Sequence, residues 1–236
     1  MVLSTGKVVN CSEDENSDLF YSLPGSYGTT GFLTAAKFRL MKAEKYVKLS
    51  YIPVNSLDEA TERITKESLK TPGHDFIEGI MYSLDKGVIM VGSLTSKAEP
   101  GKVNSVARWY KKSFYKHVES FLSCSQSAPK VEYIPLRHYY HRHTYCIFWV
   151  TRFCIPYMEV APLRWMLGWV APCEMNWYKL IPLFLRRLFE ENLLIQDHVV
   201  PIEKMKMAMK YLHDKVELER SVCKYISKPG RILSNV

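Results

Sequence analysis

Tyr46-Val-Lys-Leu-Ser-Tyr-Ile-Pro53, Ser56-Leu-Asp-Glu-Ala-Thr-Glu-Arg-Ile-Thr-Lys-Glu-Ser-Leu69, Asp75-Phe-Ile-Glu-Gly-Ile-Met-Tyr82 and Gly87-Val-Ile-Met-Val-Gly-Ser-Leu94 together decide the fold. The first reads as a strand and the second as a helix. The last two read as a hairpin turning at Asp85-Lys86. Strand, helix, strand, strand is the opening three-quarters of a split βαβ unit, which needs one more helix and one more strand to close. An α+β class with an antiparallel sheet covered by helices follows.

Downstream, Val106, Tyr110, Phe114, Val118 and Phe121 recur at helical spacing, which predicts a helix over Val103 to Leu122. A loop from Ser123 to Lys130 leads to Tyr133–Trp149, which is rich in aromatic residues and histidine. Ile202, Met205, Met209, Leu212 and Val216 predict a second helix behind Pro201, placed to be the one the split unit lacks. No closing strand is evident after it. Upstream, Val2-Leu3 and Lys7-Val8-Val9 flank a Ser4-Thr5-Gly6 turn and read as a hairpin. Ser12 and Glu15 have the spacing of a capping box for a short helix that presents Leu19, Phe20 and Leu23 and stops at Pro24. Phe32, Thr34, Ala36, Phe38 and Leu40 alternate with Lys37 and Arg39, the pattern of a strand.

The chain has 236 residues, 47% of them hydrophobic, with 15 Tyr, 10 Phe and 5 Trp. That composition buries a core and excludes a disordered tail. The net charge of +8 is spread thinly, in short pairs such as Lys111-Lys112 and Arg186-Arg187, and no nucleic-acid motif accompanies it, so no nucleic-acid partner is expected. The six cysteines form no CxxC pair, which removes zinc knuckles and thioredoxin-type chemistry. No signal peptide opens the sequence. The most apolar region, Tyr145 to Leu188, is broken by Arg152, Glu159, Arg164, Glu174 and Lys179. It offers no run of the roughly 20 apolar residues that a spanning helix needs. Tryptophan and arginine alternate through Pro162–Leu188, which suits either a peripheral membrane contact or a buried helical hairpin.

Two stretches have chemical content. Gly25-Ser-Tyr-Gly-Thr-Thr-Gly31 lies between a helix and a strand, so it is neither a P-loop nor a Rossmann turn. A glycine turn entering a strand still lets backbone amides approach a phosphate or a flat ring, because no side chain blocks them; the alternative is a tight turn with no ligand. Arg137-His-Tyr-Tyr-His-Arg-His-Thr144, if extended, places Tyr139, His141 and His143 on one face and His138, Tyr140 and Arg142 on the other. An H-x-H pair can hold zinc, but no Cys or Asp is spaced to complete the ligands, so no metal is expected. General-acid work by His or Tyr and a locally hydrogen-bonded polar strand remain as two open readings.

Glu15-Asn-Ser-Asp-Leu-Phe-Tyr21, Gly28-Thr-Thr-Gly-Phe-Leu33, Lys45-Tyr-Val-Lys-Leu49, Tyr82-Ser-Leu-Asp85 and above all Glu132-Tyr-Ile-Pro-Leu-Arg-His-Tyr-Tyr-His-Arg-His-Thr144, with Ile147-Phe-Trp149, Gln196-Asp197 and Val200-Pro201, resemble the Δ(24)-sterol reductases of the Diminuto/Dwarf type. The resemblance runs from about Val2 to about Glu217. It implies a flavoprotein of the vanillyl-alcohol-oxidase type that reduces a sterol side-chain double bond with FAD as cofactor and NADPH as reductant, on the cytosolic face of the endoplasmic reticulum membrane.

By that resemblance, residues 1–42 are the end of an FAD-binding domain, 43–217 an incomplete substrate (cap) domain and 218–236 an unmatched tail. Gly25, Ser26, Gly28, Thr29 and Gly31 become cofactor contacts, and Arg137 and Tyr139 substrate contacts. His138, Tyr140, His141 and His143 become candidates for the proton donor. The family's membrane anchor and its main pyrophosphate-binding half have no counterpart here. A fragment or paralogue of a reductase is therefore expected, or a non-catalytic remnant that binds a sterol or a partner.

Overall fold

The computed structural model describes residues 1–124, 128–143, 160–167, 200–216 and 223–226. It divides into two compact units, Met1–Lys42 and Ala43–Val236.

In the larger unit β1 (Tyr46–Val54), α2 (Leu57–Ser68), β2 (Phe76–Ser83) and β3 (Lys86–Thr95) follow the order expected from the sequence; α1 (Ser17–Ser22) belongs to the smaller unit. Ser56 begins α2 by accepting a hydrogen bond from the Glu59 amide at 3.0 Å, and the Glu59 carboxylate returns to accept from the Asn55 amide at 2.7 Å. Two free amide groups at the helix start are thereby satisfied. β3 lies antiparallel between β1 and β2.

The split unit closes, but with other residues than those expected. Its second helix is α3 (Phe114–Glu119) and its closing strand is β4 (Lys130–Pro135), antiparallel to β1. The expected helix from Val103 to Leu122 is corrected to these 6 residues. Val106, Phe114, Val118 and Phe121 are all buried, so the periodic stripe marked burial on a segment that is mostly loop. The helix behind Pro201 is real: a 3₁₀ turn (Ile202–Lys204) leads into a 12-residue helix. With α4 (Leu136–Tyr140) and α5 (Ala161–Leu167) before it, it is α6 (Met205–Val216). It adds to the split unit rather than completing it. Beyond it β5 (Cys223–Ile226) pairs antiparallel with β2, giving the sheet order β4-β1-β3-β2-β5. An added strand thus lies where the sequence reading expected an unmatched tail.

Alternation along the strands sends side chains to two cores. Val47, Leu49, Tyr51, Ile80, Val88, Met90 and Ile134 pack with α3 and Tyr139 on one face. Ile52, Val54, Ile77, Ile89 and Val91 pack with Ala60 and Ile64 of α2 and Met205 of α6 on the other. Helices therefore cover both faces of the sheet, and the class is α+β as expected.

In Met1–Lys42 the expected hairpin is present as a bridge between Val2 and Val8, with Val2 also bridged to Phe32. The Ser12 hydroxyl accepts from the amides of Asp14 and Glu15, while the Ser12 amide donates to the Glu15 carbonyl. That closes a turn ahead of α1 (Ser17–Ser22), whose cap position is Asn16, so the capping box is corrected to a local turn. The strand expected from Phe32 to Leu40 is reduced to the single bridge at Phe32. Phe38 and Leu40 are exposed.

Candidate functional site

β4 delivers the chain directly into the tyrosine- and histidine-rich stretch. The Leu136 amide donates to the Lys45 carbonyl at 3.0 Å, and the backbone then coils into α4, with the His141 amide bonded back to the Arg137 carbonyl. The extended reading of Arg137–His143 is therefore corrected. The physical reason lies in spacing: residues three apart on a helical turn share a face. Tyr139 and Arg142 turn inward together to reach one carboxylate.

That carboxylate is Glu78, in the middle of β2. Glu78, Tyr139 and Arg142 are 5%, 1% and 7% exposed. The Tyr139 hydroxyl donates to Glu78 Oε1 at 2.6 Å, and Arg142 donates to the same oxygen and to the Tyr139 carbonyl. The Arg142 guanidinium lies 4.1 Å from the Tyr139 ring centroid and 5.5 Å from that of Phe114. Burial opposes the Arg142 charge, but Glu78 more than restores it, and the guanidinium is held above its ordinary value. Burial, reinforced by Glu78, pushes the Tyr139 phenol well up. The hydroxyl keeps its proton and shares it with Glu78.

The remaining members of the stretch sort by exposure. Arg137, Tyr140 and His141 face solvent; His138 and His143 are half-buried. Burial, with Arg108 and Arg137 alongside, lowers His138 below the usual imidazole range, against a hydrogen bond to the Ser105 backbone. A neutral His138 near pH 7 follows. The His143 ring meets the Phe114 ring edge-on at 5.5 Å. Tyr139, expected at a substrate, thus lies in the core. Tyr140 and His141 are the outward-facing candidates. Thr144 and the residues up to Trp149 lie outside the described residues.

The glycine stretch separates into two kinds of position. Gly25 and Gly28 have φ of +75° and +81°, and a Cβ at either would meet nothing within 4 Å. Their backbone is open to a ligand. Gly31 has φ +153°, and a Cβ there would lie 2.6 Å from Met1 Cε and 2.7 Å from the Val2 carbonyl. Its bareness serves the packing of the chain's own first residues. The Thr29 hydroxyl and amide both bond to the Ser26 carbonyl, at 2.6 and 2.9 Å.

A second polar cluster escaped the sequence reading. Glu132 of β4 accepts from the Tyr51 hydroxyl at 3.0 Å and from Asn104 at 3.3 Å, and meets His117 Nε2 at 2.8 Å. Lys111 donates to Asn104. Tyr51 stacks on Phe121 with centroids 4.0 Å apart. The one signal in the sequence was a carboxylate just before the Tyr133–Pro135 strand residues, and nothing local tied it to His117. Among the described residues no group of His, Cys, Asp and Glu is arranged to hold a metal.

These features define an α+β protein whose sheet carries a buried carboxylate–tyrosine–arginine cluster beneath an exposed tyrosine–histidine turn. No family model matches the chain. Among curated proteins it is 42% identical, over 98% of its own length, to the Delta(24)-sterol reductase of Mus musculus, of which it covers 45%. It is 36% identical over 92% of its length to the Delta(24)-sterol reductase of Arabidopsis thaliana, covering 40% of that protein. A shorter match, 34% identical over 34% of the chain, joins it to cytokinin dehydrogenase 7 of Oryza sativa subsp. japonica. The chain is thus a homologue of the Δ(24)-sterol reductases along nearly its whole length, and it spans a little under half the length of those relatives. The match to the mouse protein runs past Glu217, so the end of the chain is not foreign to them.

Proposed function

We propose that this chain is a module of an FAD-dependent, NADPH-driven reductase of the Δ(24) double bond of sterols, acting at the cytosolic face of the endoplasmic reticulum membrane. The observation behind this is the match to proteins of that name over 98% of the chain. In this reading Met1–Lys42 is the closing part of the flavin-binding domain, and the sheet unit from Ala43 is the substrate cap.

FAD, when bound, supplies hydride to one alkene carbon after NADPH has reduced it; a proton must reach the other carbon. This chain's residues divide the remaining work. The open backbone at Gly25 and Gly28 suits close approach to the cofactor, and Ser26 and Thr29 border it. Gly31 is committed to Met1 and Val2 and serves the cradle indirectly. Glu78 and Arg142 fix the turn that presents Arg137 and Tyr140 to the sterol and His141 as the proton donor.

Exposed Phe32, Phe38 and Leu40 favour a second reading, a non-catalytic module that binds a sterol or a protein partner. Binding of a Δ(24) sterol to the purified chain, flavin absorbance retained through gel filtration, and NADPH oxidation with FAD and sterol separate the two. Saturable sterol binding weakened by Tyr140→Ala and His141→Ala supports the cap assignment. A folded chain that binds no sterol overturns both sterol readings. Sterol binding with neither flavin retention nor NADPH oxidation assigns the second.

A further inference from the structure

The face of the sheet unit that carries α3 and α4 has a surface unlike the rest. The loop before α3 places Arg108, Tyr110 and Lys112 in solvent, and α4 lies beside it. These segments adjoin one another: His138 of α4 is hydrogen-bonded to the Ser105 backbone and feels the charges of Arg108 and Arg137. α5 joins the same patch, because Arg164 Nε donates to the Tyr110 carbonyl at 3.0 Å. α5 leaves Trp165 67% exposed, with Val160 and Met166 exposed beside it.

Among the described residues of this patch the charge has one sign. Residues 101–118, 133–143 and 160–167 contain no carboxylate. Of the nearby acids, Glu119 is paired with Lys116, and Glu132 with His117. No described carboxylate pairs with Arg108 or Lys112. A tryptophan, a tyrosine and aliphatic side chains set among guanidinium and ammonium groups is the composition that seats a protein in the headgroup layer of an anionic bilayer. Aromatic rings take the boundary between headgroup and acyl chain, and the cations take the lipid phosphates and carboxylates.

The geometry points to this patch as a docking surface for an anionic lipid bilayer. It lies on the sheet face opposite α2 and α6, and the inference stands whether or not the chain handles sterols. No helix among the described residues is long and apolar enough to cross a membrane, so the contact is peripheral.

Sedimentation of the intact chain with sterol-free vesicles tests it, using phosphatidylcholine with and without a third of phosphatidylserine. Binding is expected only with the anionic lipid, and is lost at 1 M salt, where the Debye length shrinks to about 3 Å. Arg108→Gln with Lys112→Gln lowers partitioning about 25-fold, from about fivefold per charge. Trp165→Ala lowers it roughly tenfold. The charge-matched control Lys66→Gln with Lys210→Gln, on the opposite face, leaves it unchanged. Circular dichroism confirms folding of each variant. Equal loss in the control, equal binding to neutral vesicles, or displacement from vesicles by a single-stranded oligonucleotide overturns the inference. So does a concentration-dependent dimer that Trp165→Ala abolishes, since a second copy would then occupy the patch.

Discussion

Replacing Arg142 by methionine tests the central feature of the sheet unit, because it takes a cation away from the buried Glu78. Methionine keeps most of the volume over Tyr139 and removes the charge. Breaking a buried ion pair from one side costs about 3–5 kcal/mol, since the remaining carboxylate keeps its desolvation penalty and loses its counter-charge. Loss of the guanidinium from the Tyr139 ring face, 4.1 Å away, adds roughly 0.5–2 kcal/mol. Against a total of about 5–15 kcal/mol for a domain, the single variant is close to unfolding.

Adding Glu78→Leu to that variant removes the buried carboxylate. Most of the stability returns, and what is left is the Tyr139 hydroxyl, now without an acceptor, at about 1–3 kcal/mol. Adding Tyr139→Phe removes that too, and the triple variant approaches the parent. The three changes are strongly non-additive because they share one oxygen. Urea unfolding read by tryptophan fluorescence gives the midpoints, and a constant slope with denaturant shows that the same surface unfolds each time. If Arg142→Met alone costs less than about 1 kcal/mol, or the double variant is no better than the single, the cluster is not the buried, coupled unit described.

Acid should weaken the fold through two carboxylates. Burial pushes Glu132 up, but His117, then Tyr51 and Asn104, outweigh it and hold it below the ordinary 4.5; Glu67 is likewise opposed by burial and lowered by Lys70 and His74. The unfolded chain then binds more protons than the native one below about pH 5, so this stability is present above pH 4.5 and is lost as pH falls through the native values. Glu132→Gln and Glu67→Gln should flatten the decline of the urea midpoint below pH 5, and an unchanged slope would count against both clusters. Gly31→Ala forces a methyl against Met1 and the Val2 carbonyl and should cost about 2 kcal/mol or more. Gly28→Ala meets only its positive φ and should cost about 1 kcal/mol, as limited proteolysis of the first forty residues would show. Ser56→Ala should lower thermal stability by about 1 kcal/mol through the lost cap of α2; no shift in midpoint would mean that the Glu59 carboxylate alone holds the helix start.

Much of the fold could be read from the sequence because β1, α2, β2 and β3 are contiguous and their patterns are local. The hairpin at Asp85-Lys86 and the cap at Ser56 are decided within a few residues. The closing strand was hidden because Lys130–Pro135 is short and leads without a break into helical residues, so one aromatic-rich run held two elements. The stripe from Val106 to Phe121 misled for a related reason. Helical spacing of apolar residues reports that a segment is buried along one side, and a loop pressed against Tyr51, Leu49 and Ile134 satisfies the same pattern as a helix.

The polar character of Arg137–His143 was legible in its residue types and its geometry was not, and a single distant residue explains the difference. A seven-residue stretch with five ionisable rings and two guanidinium groups has no internal rule for which groups turn inward. Glu78, sixty-four positions before Arg142, supplies that rule. A carboxylate on the inward phase of β2 is intolerable unless met by a cation and a donor, and only a helical turn lets Arg142 and Tyr139 reach the same oxygen. Once they do, Tyr139 is withdrawn from any ligand, and Tyr140 and His141 are turned outward by the same rotation. The buried cluster thus determines which side chains remain available for chemistry, and β2, read in isolation, held that information in one glutamate between Ile77 and Gly79.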